Sequence, residues 1–134
     1  MGSNSTMRTA KADVTRRTER IGEQLRAEIA QLLRDEVTDP RVGMVTLTRV
    51  DVSPDLAQAL VFWSPLDPRT AEDPEAIATT GDGLESAATF LRTRIAKRLT
   101  IRRTPALAFR HDPSLEQGAE TLALLRELHE GSDG

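Results

Sequence analysis

Ile21, Leu25, Ile29, Leu32 and Leu33 recur at spacings of three and four, while Glu19, Glu23, Arg26, Glu28 and Arg34 fall largely between them. That spacing predicts an amphipathic helix from Thr18 to Val37 with one apolar face. Thr18 is placed to cap it. Asp39-Pro40 ends it, because the residue before a proline avoids the α region. The period then falls to two. Between Met44 and Val52, Val45 and Leu47 point one way and Met44, Thr46, Thr48, Val50 and Val52 the other. Between Asp55 and Trp63, Leu56, Leu60 and Phe62 oppose Ala57, Ala59, Val61 and Trp63. Ser53-Pro54-Asp55 supplies turn residues between the two runs, so they predict an antiparallel hairpin.

Ser64 to Pro74 carries Pro65, Pro68 and Pro74 among acids and reads as an exposed connection. Pro74 suits the first turn of a further helix, and Glu75 suits the dipole there. Ile77, Gly81, Leu84 and Ala88 share a face of that helix, and Leu91, Ile95 and Leu99 form a second stripe. Phe90 lies off the second stripe by about 140°, counting about 100° per residue. A break near Ala87-Ala88-Thr89 would turn both apolar sets, Phe90 included, toward one core. Thr104-Pro105 stops the helical region, and Ala106 to Arg110 reads as a last strand. Asp112-Pro113-Ser114 is a turn, and Leu122, Leu125 and Leu128 mark a helix over Leu115 to Leu128. The order is α-β-β-α-(kink)-α-β plus a C-terminal helix, which predicts one α+β domain with a three-stranded sheet. Residues 1–15 are set apart as a flexible N-terminal segment, 16–128 as the domain and 129–134 as a tail.

Composition narrows the chemistry. The 134 residues are 38% apolar and 29% charged, an ordinary balance for one globular domain. Phe62, Trp63, Phe90 and Phe109 are the whole aromatic set. They are assigned to full or partial burial, so no aromatic platform for stacking bases is expected. No cysteine is present, which excludes disulfides, thiolate catalysis and Cys-ligated zinc. No apolar run reaches the roughly 20 residues that span a bilayer, and no apolar leader opens the chain, so a cytoplasmic protein is expected. His111 and His129 have no metal-ligand spacing, and no phosphate-binding glycine loop occurs. No catalytic residue, metal, cofactor or small-molecule substrate is predicted. No unused apolar stripe asks for a second copy, so a monomer is expected.

The net charge is −3, yet from Ser86 to His111 there is no acid, while Arg92, Arg94, Lys97, Arg98, Arg102, Arg103 and Arg110 all fall inside. Screening cuts off charges beyond about 8 Å at physiological salt, so the local excess governs attraction to a polyanion. Without acids at i, i+4 the run repels itself unless such a partner relieves it. Arginine predominates, and its planar fork suits phosphate.

Particular segments resemble the ribosome-binding factor A family. They are Arg20-Ile21-Gly22-Glu23-Gln24-Leu25, Glu36 to Thr46 with its Asp-Pro-Arg-Val-Gly core, and Val50-Asp51-Val52-Ser53-Pro54-Asp55-Leu56-Ala57. Toward the end Phe90-Leu91-Arg92, Leu99 to Arg102, Thr104 to Phe109 and Asp112-Pro113-Ser114 extend the likeness. The resemblance implies a type II KH-like domain that binds the free small (30S) ribosomal subunit and assists late maturation of its 16S rRNA near the 5′-terminal helix, with a role in cold adaptation. It also implies an Ala-x-Gly interhelical kink, matched here by Ala87, Ala88 and Thr89, with threonine standing for the glycine. Arg92, Arg94, Lys97, Arg98, Arg102 and Arg103 are the expected RNA contacts, with Arg41 and Arg17 as secondary ones. The rival readings are a generic KH-like RNA binder and an interaction domain docking an acidic protein.

Overall fold

A computed structural model describes residues 2–114, with side chains described from Thr15 onward; the helix expected at Leu115 to Leu128 and the tail lie outside these residues. The elements are α1 (Gly2–Asp35), β1 (Val45–Val52), β2 (Gln58–Pro65), α2 (Pro68–Ala71), α3 (Pro74–Arg98) and β3 (Ala106–His111). The sheet order is β1-β2-β3, with β1 and β2 antiparallel and β2 and β3 parallel. A parallel pair needs a crossover, and the α2–α3 segment provides it. This is the α+β, three-stranded arrangement expected from the sequence.

Ile21, Leu25, Ile29 and Leu32 of α1 form the predicted apolar face, and all four are buried. The helix continues back to Gly2, so Thr18 is not its cap. Its hydroxyl instead donates to the Thr15 carbonyl at 3.0 Å, inside the helix. The boundary expected at residue 15 falls within this helix. α1 lies directly on β1. A Cβ on Gly22 would collide with the Val50 carbonyl oxygen, so only glycine permits that approach.

The inward faces of the strands carry Leu47 and Val50, then Ala59, Val61 and Trp63, then Leu107, packed against α1 and against Leu84, Leu91 and Ile95 of α3. β2 alternates as predicted. β1 does not: a bulge between Leu47 and Arg49 inserts one residue against β2. The extra residue reverses the parity, so Val50 joins Leu47 on the buried side rather than opposing it.

α3 is a single helix from Pro74 to Arg98, capped by Asp73, whose carboxylate accepts from the Glu75 N–H. It runs through Ala87, Ala88 and Thr89, where a break was expected. Leu84, Ala87, Leu91 and Ile95 already make one continuous buried stripe, so the core needs no interruption. Thr89 keeps helical geometry, as a β-branched residue prefers over positive φ. Phe90 is what stays outside, 38% exposed.

Candidate nucleic-acid interface

The basic residues sit on and just beyond the C-terminal half of α3, and the helical period distributes them over three directions. Arg92 lies on the flank facing β3. Its guanidinium donates from Nε and Nη2 to the Thr104 carbonyl at 3.2 and 3.1 Å, which ties the loop after α3 to the helix without neutralising the charge. Glu85, two turns earlier on that flank, accepts from the Phe109 N–H at 2.7 Å. Lys97 points outward, exposed and without an ion-pair partner among the described residues.

Arg94 and Arg98 lie on the opposite flank, against α1. Arg98 meets Glu36 at 2.9 Å and Glu28 at 3.4 Å, and Arg94 meets Glu36 at 3.6 Å. The Arg94 guanidinium also stands over the Phe90 ring, 5.3 Å from its centroid. The acids missing from the second half of α3 are thus supplied from α1 and its C-terminal end, far earlier in the chain. For these two arginines the self-repulsion argued from the sequence is relieved internally.

Arg102 and Arg103 follow α3 in the loop to β3. Together with Arg17 of α1 they line a recess at the tip of the β1–β2 hairpin. Three of the predicted contacts therefore converge although Arg17 is remote from the other two in sequence. Arg41 does not join them. Its guanidinium forms a two-pronged pair with Asp39, Nε to Oδ1 at 3.0 Å and Nη2 to Oδ2 at 2.6 Å, and donates to Ser86 Oγ at 3.0 Å. That pairing holds the Asp39 carboxyl at about 2, well below the usual carboxylate range. Arg41 thereby fastens the turn before β1 onto α3. The close approach depends on Gly83, where a Cβ would lie 2.9 Å from the Arg41 Cβ and 3.3 Å from the Val42 nitrogen.

Ala87, the first residue of the expected interhelical kink, is 9% exposed and belongs to the core. Beside the Glu85 flank, the exposed residues of α3 around it include Ser86, Thr89, Phe90 and Thr93. By the helical period they form an uncharged strip between the Arg92 and Arg94 flanks. Phe90, assigned to full or partial burial, is 38% exposed and borders that strip.

A row on the outer face of the sheet escaped sequence reading altogether. Phe62 pairs across the strands with Arg49 on one side and Arg110 on the other, and the Arg49 guanidinium stands 4.2 Å from the Phe62 ring centroid. Only the register, including the bulge, brings these residues side by side. His111 packs on Trp63 with ring centroids 5.3 Å apart. The Asp112 carboxylate accepts from the Thr48 hydroxyl at 2.6 Å and the Ser114 N–H at 2.9 Å, and these bonds lower its pKa.

Comparison with known proteins decides the family. The family model for ribosome-binding factor A matches residues 17–125. The chain belongs to the ribosome-binding factor A family. Ribosome-binding factor A of Halorhodospira halophila is 46% identical over 112 residues, covering 84% of this chain and 86% of that protein. The Pseudomonas syringae pv. syringae factor is 46% identical over 109 residues, covering 81% and 77%. Among solved structures, the crystal structure of ribosome-binding factor A from Thermus thermophilus superposes with a TM-score of 0.59 at 23% identity, covering 70% of this chain and 93% of that one. A solution structure of a Thermotoga maritima protein described as a putative ribosome-binding factor A gives 0.52 at 34% identity, covering 66% and 84%. A Thermus thermophilus ribosome-binding factor A model fitted into a cryo-electron-microscopy map of a 30S complex gives 0.53 at 25% identity, covering 69% and 91%. The KH-like α+β fold is common to the family and to this chain.

Proposed function

We propose that this member of the ribosome-binding factor A family binds the free small ribosomal subunit and assists late maturation of its 16S rRNA, acting by binding rather than by catalysis, as a cytoplasmic monomer. The observation that carries the reading is the basic, acid-free outer side of α3 from Ser86 onward, in a chain whose Thermus thermophilus relative has been fitted into a 30S complex. Arg92 and Lys97 keep their charge unneutralised there, and the hydroxyls of Ser86 and Thr89 offer donors that carry no repulsion toward phosphate. Arg94 and Arg98 can add to the same surface by exchanging Glu36 and Glu28 for phosphate oxygens. Such contacts position a backbone without reading bases, which suits a factor that recognises a folded rRNA surface. The test is a double variant, Arg92→Glu with Lys97→Glu, whose circular dichroism and urea midpoint confirm folding. Loss of binding to purified free small subunits is the expected result. Wild-type affinity in the folded double variant would place the interface elsewhere.

A further inference from the structure

At the tip of the β1–β2 hairpin, Arg17, Arg102 and Arg103 line a recess of about 370 Å³ completed by Pro54, Asp55 and Leu56. Three separated stretches of chain build it: α1, the hairpin turn, and the loop between α3 and β3. The loop is seated against the turn by the Ala106 N–H, which donates to the Ala57 carbonyl at 2.9 Å.

The turn itself is held by its own hydrogen bonds. The Ser53 hydroxyl donates to Asp55 Oδ1 at 2.7 Å, and the Ala57 N–H donates to the same oxygen at 3.0 Å. The Gln58 N–H donates to the Ser53 hydroxyl at 3.0 Å, and the Leu56 N–H to the Ser53 carbonyl at 2.9 Å. Leu56 has φ 60°, the one positive φ outside glycine among the described residues, and its side chain packs on the core. A leucine avoids that conformation unless its surroundings impose it. The tip is therefore set in shape before any ligand arrives.

The charges are not balanced. Asp55 is the one carboxylate in the lining, and an oxygen of it is engaged by the turn. None of the three arginines forms an ion pair among the described residues, in contrast with Arg94 and Arg98. All three guanidinia are exposed and keep their charge at any physiological pH. Asp55, whose carboxyl is held below its ordinary range by the Ser53 hydroxyl, the Ala57 N–H and Arg103, balances at most one of them. Their forked donors fit the non-bridging oxygens of a phosphate.

We infer that this recess is a phosphate site that clamps a single backbone phosphate of RNA, separate from the outer side of α3. The inference rests on the reading of the chain as an RNA-binding subunit factor and adds a second anchoring point to it. Two anchors, one along α3 and one at the hairpin tip, restrict the orientation of the domain on an RNA surface more than a single helix face does.

The experiment uses the full chain with ¹⁵N-labelled arginine and follows the Nε–Hε signals by NMR. The titrants are a short single-stranded RNA, the same sequence with uncharged methylphosphonate linkages, and inorganic phosphate. RNA should move the signals of Arg17, Arg102 and Arg103 together, and the methylphosphonate strand should leave them in place. Arg17→Gln, Arg102→Gln and Arg103→Gln combined should weaken RNA binding about tenfold and flatten the logarithmic salt dependence by about 0.7 for the phosphate lost. If RNA moves Arg92 but not these three, the recess is not a clamp, while the RNA-binding reading stands. If inorganic phosphate saturates them at the same concentration as RNA, the site is one for free phosphate and the RNA assignment is overturned. If no arginine signal responds and the chain ignores small subunits, the underlying reading fails with it.

Discussion

Replacing Glu36 by glutamine should loosen the fold and tighten RNA binding at the same time. Glu36 stands one residue beyond α1, held by its N–H on the Leu32 carbonyl, and its carboxylate receives both Arg98 at 2.9 Å and Arg94 at 3.6 Å. The carboxylate side chain is 26% exposed and the two arginines 38% and 45%, so these are surface pairs in a largely aqueous dielectric. Exposed pairs contribute about 0.2–1 kcal/mol each. Because the two pairs share one acid, removing its charge should lower the unfolding free energy by about 0.5–1 kcal/mol in total. For either arginine to reach a phosphate it must first leave Glu36, and the same energy opposes that exchange. Glutamine removes the opposition, which corresponds to about two- to fivefold tighter binding at low salt. The gain should shrink as salt rises, because both the pair and its replacement are screened. Urea unfolding gives the first quantity, and fluorescence-monitored binding to free small subunits at a series of salt concentrations gives the second. A folded variant that binds no more tightly than wild type would show that Arg94 and Arg98 stay with α1 and take no part in the interface.

Ala87→Asp should destabilise the fold by about 3 kcal/mol or more in urea unfolding, since it places a carboxylate into the packed stripe of α3 without a partner. A wild-type midpoint would mean Ala87 faces solvent. Gly81→Ala and Gly83→Ala should differ in sign. A methyl at Gly81 meets Trp63 at an ordinary 3.6 Å, so the variant should gain up to about 1 kcal/mol of helix propensity. A methyl at Gly83 presses on Arg41 and the Val42 backbone, so overpacking of about 1–3 kcal/mol should outweigh that gain, with thermal melts separating the two. The Asp39 carboxyl should titrate near pH 2 by NMR, against an ordinary 3.8, and Arg41→Gln should return it toward that value. Because the folded pKa is the depressed one, the pair's contribution to stability is complete above about pH 4 and is lost as pH falls toward about 2. A midpoint unchanged by Arg41→Gln would rule out the two-pronged pair.

Much of the fold was legible because burial follows period. Ile21, Leu25, Ile29 and Leu32 are buried as their spacing requires, and so are Ala59, Val61 and Trp63. Counting by twos fails in β1 because an inserted residue at the bulge carries no mark in the sequence, and every later side chain changes face with it. The break expected near Thr89 follows from the premise that Phe90 must be covered. The structure leaves Phe90 at the surface under Arg94 instead, and the helix runs on. The location of positive charge is plain from the chain, but its partners are not. Glu28 and Glu36 belong to a distant stretch of chain, and Arg17 reaches Arg102 and Arg103 only through the packing of α1 on β1. Long-range pairing of this kind has no local signature, whereas a helix face or a turn does.

The central claim is that a basic surface attaches this chain to the free small subunit. Cosedimentation of the purified protein with free small subunits and with whole ribosomes, at low and at high salt, tests it most directly. The prediction is comigration with the free small subunit, steeply lost as salt rises because phosphate contacts release counterions. A folded protein that sediments with no ribosomal particle, or whose attachment is indifferent to salt, would contradict it.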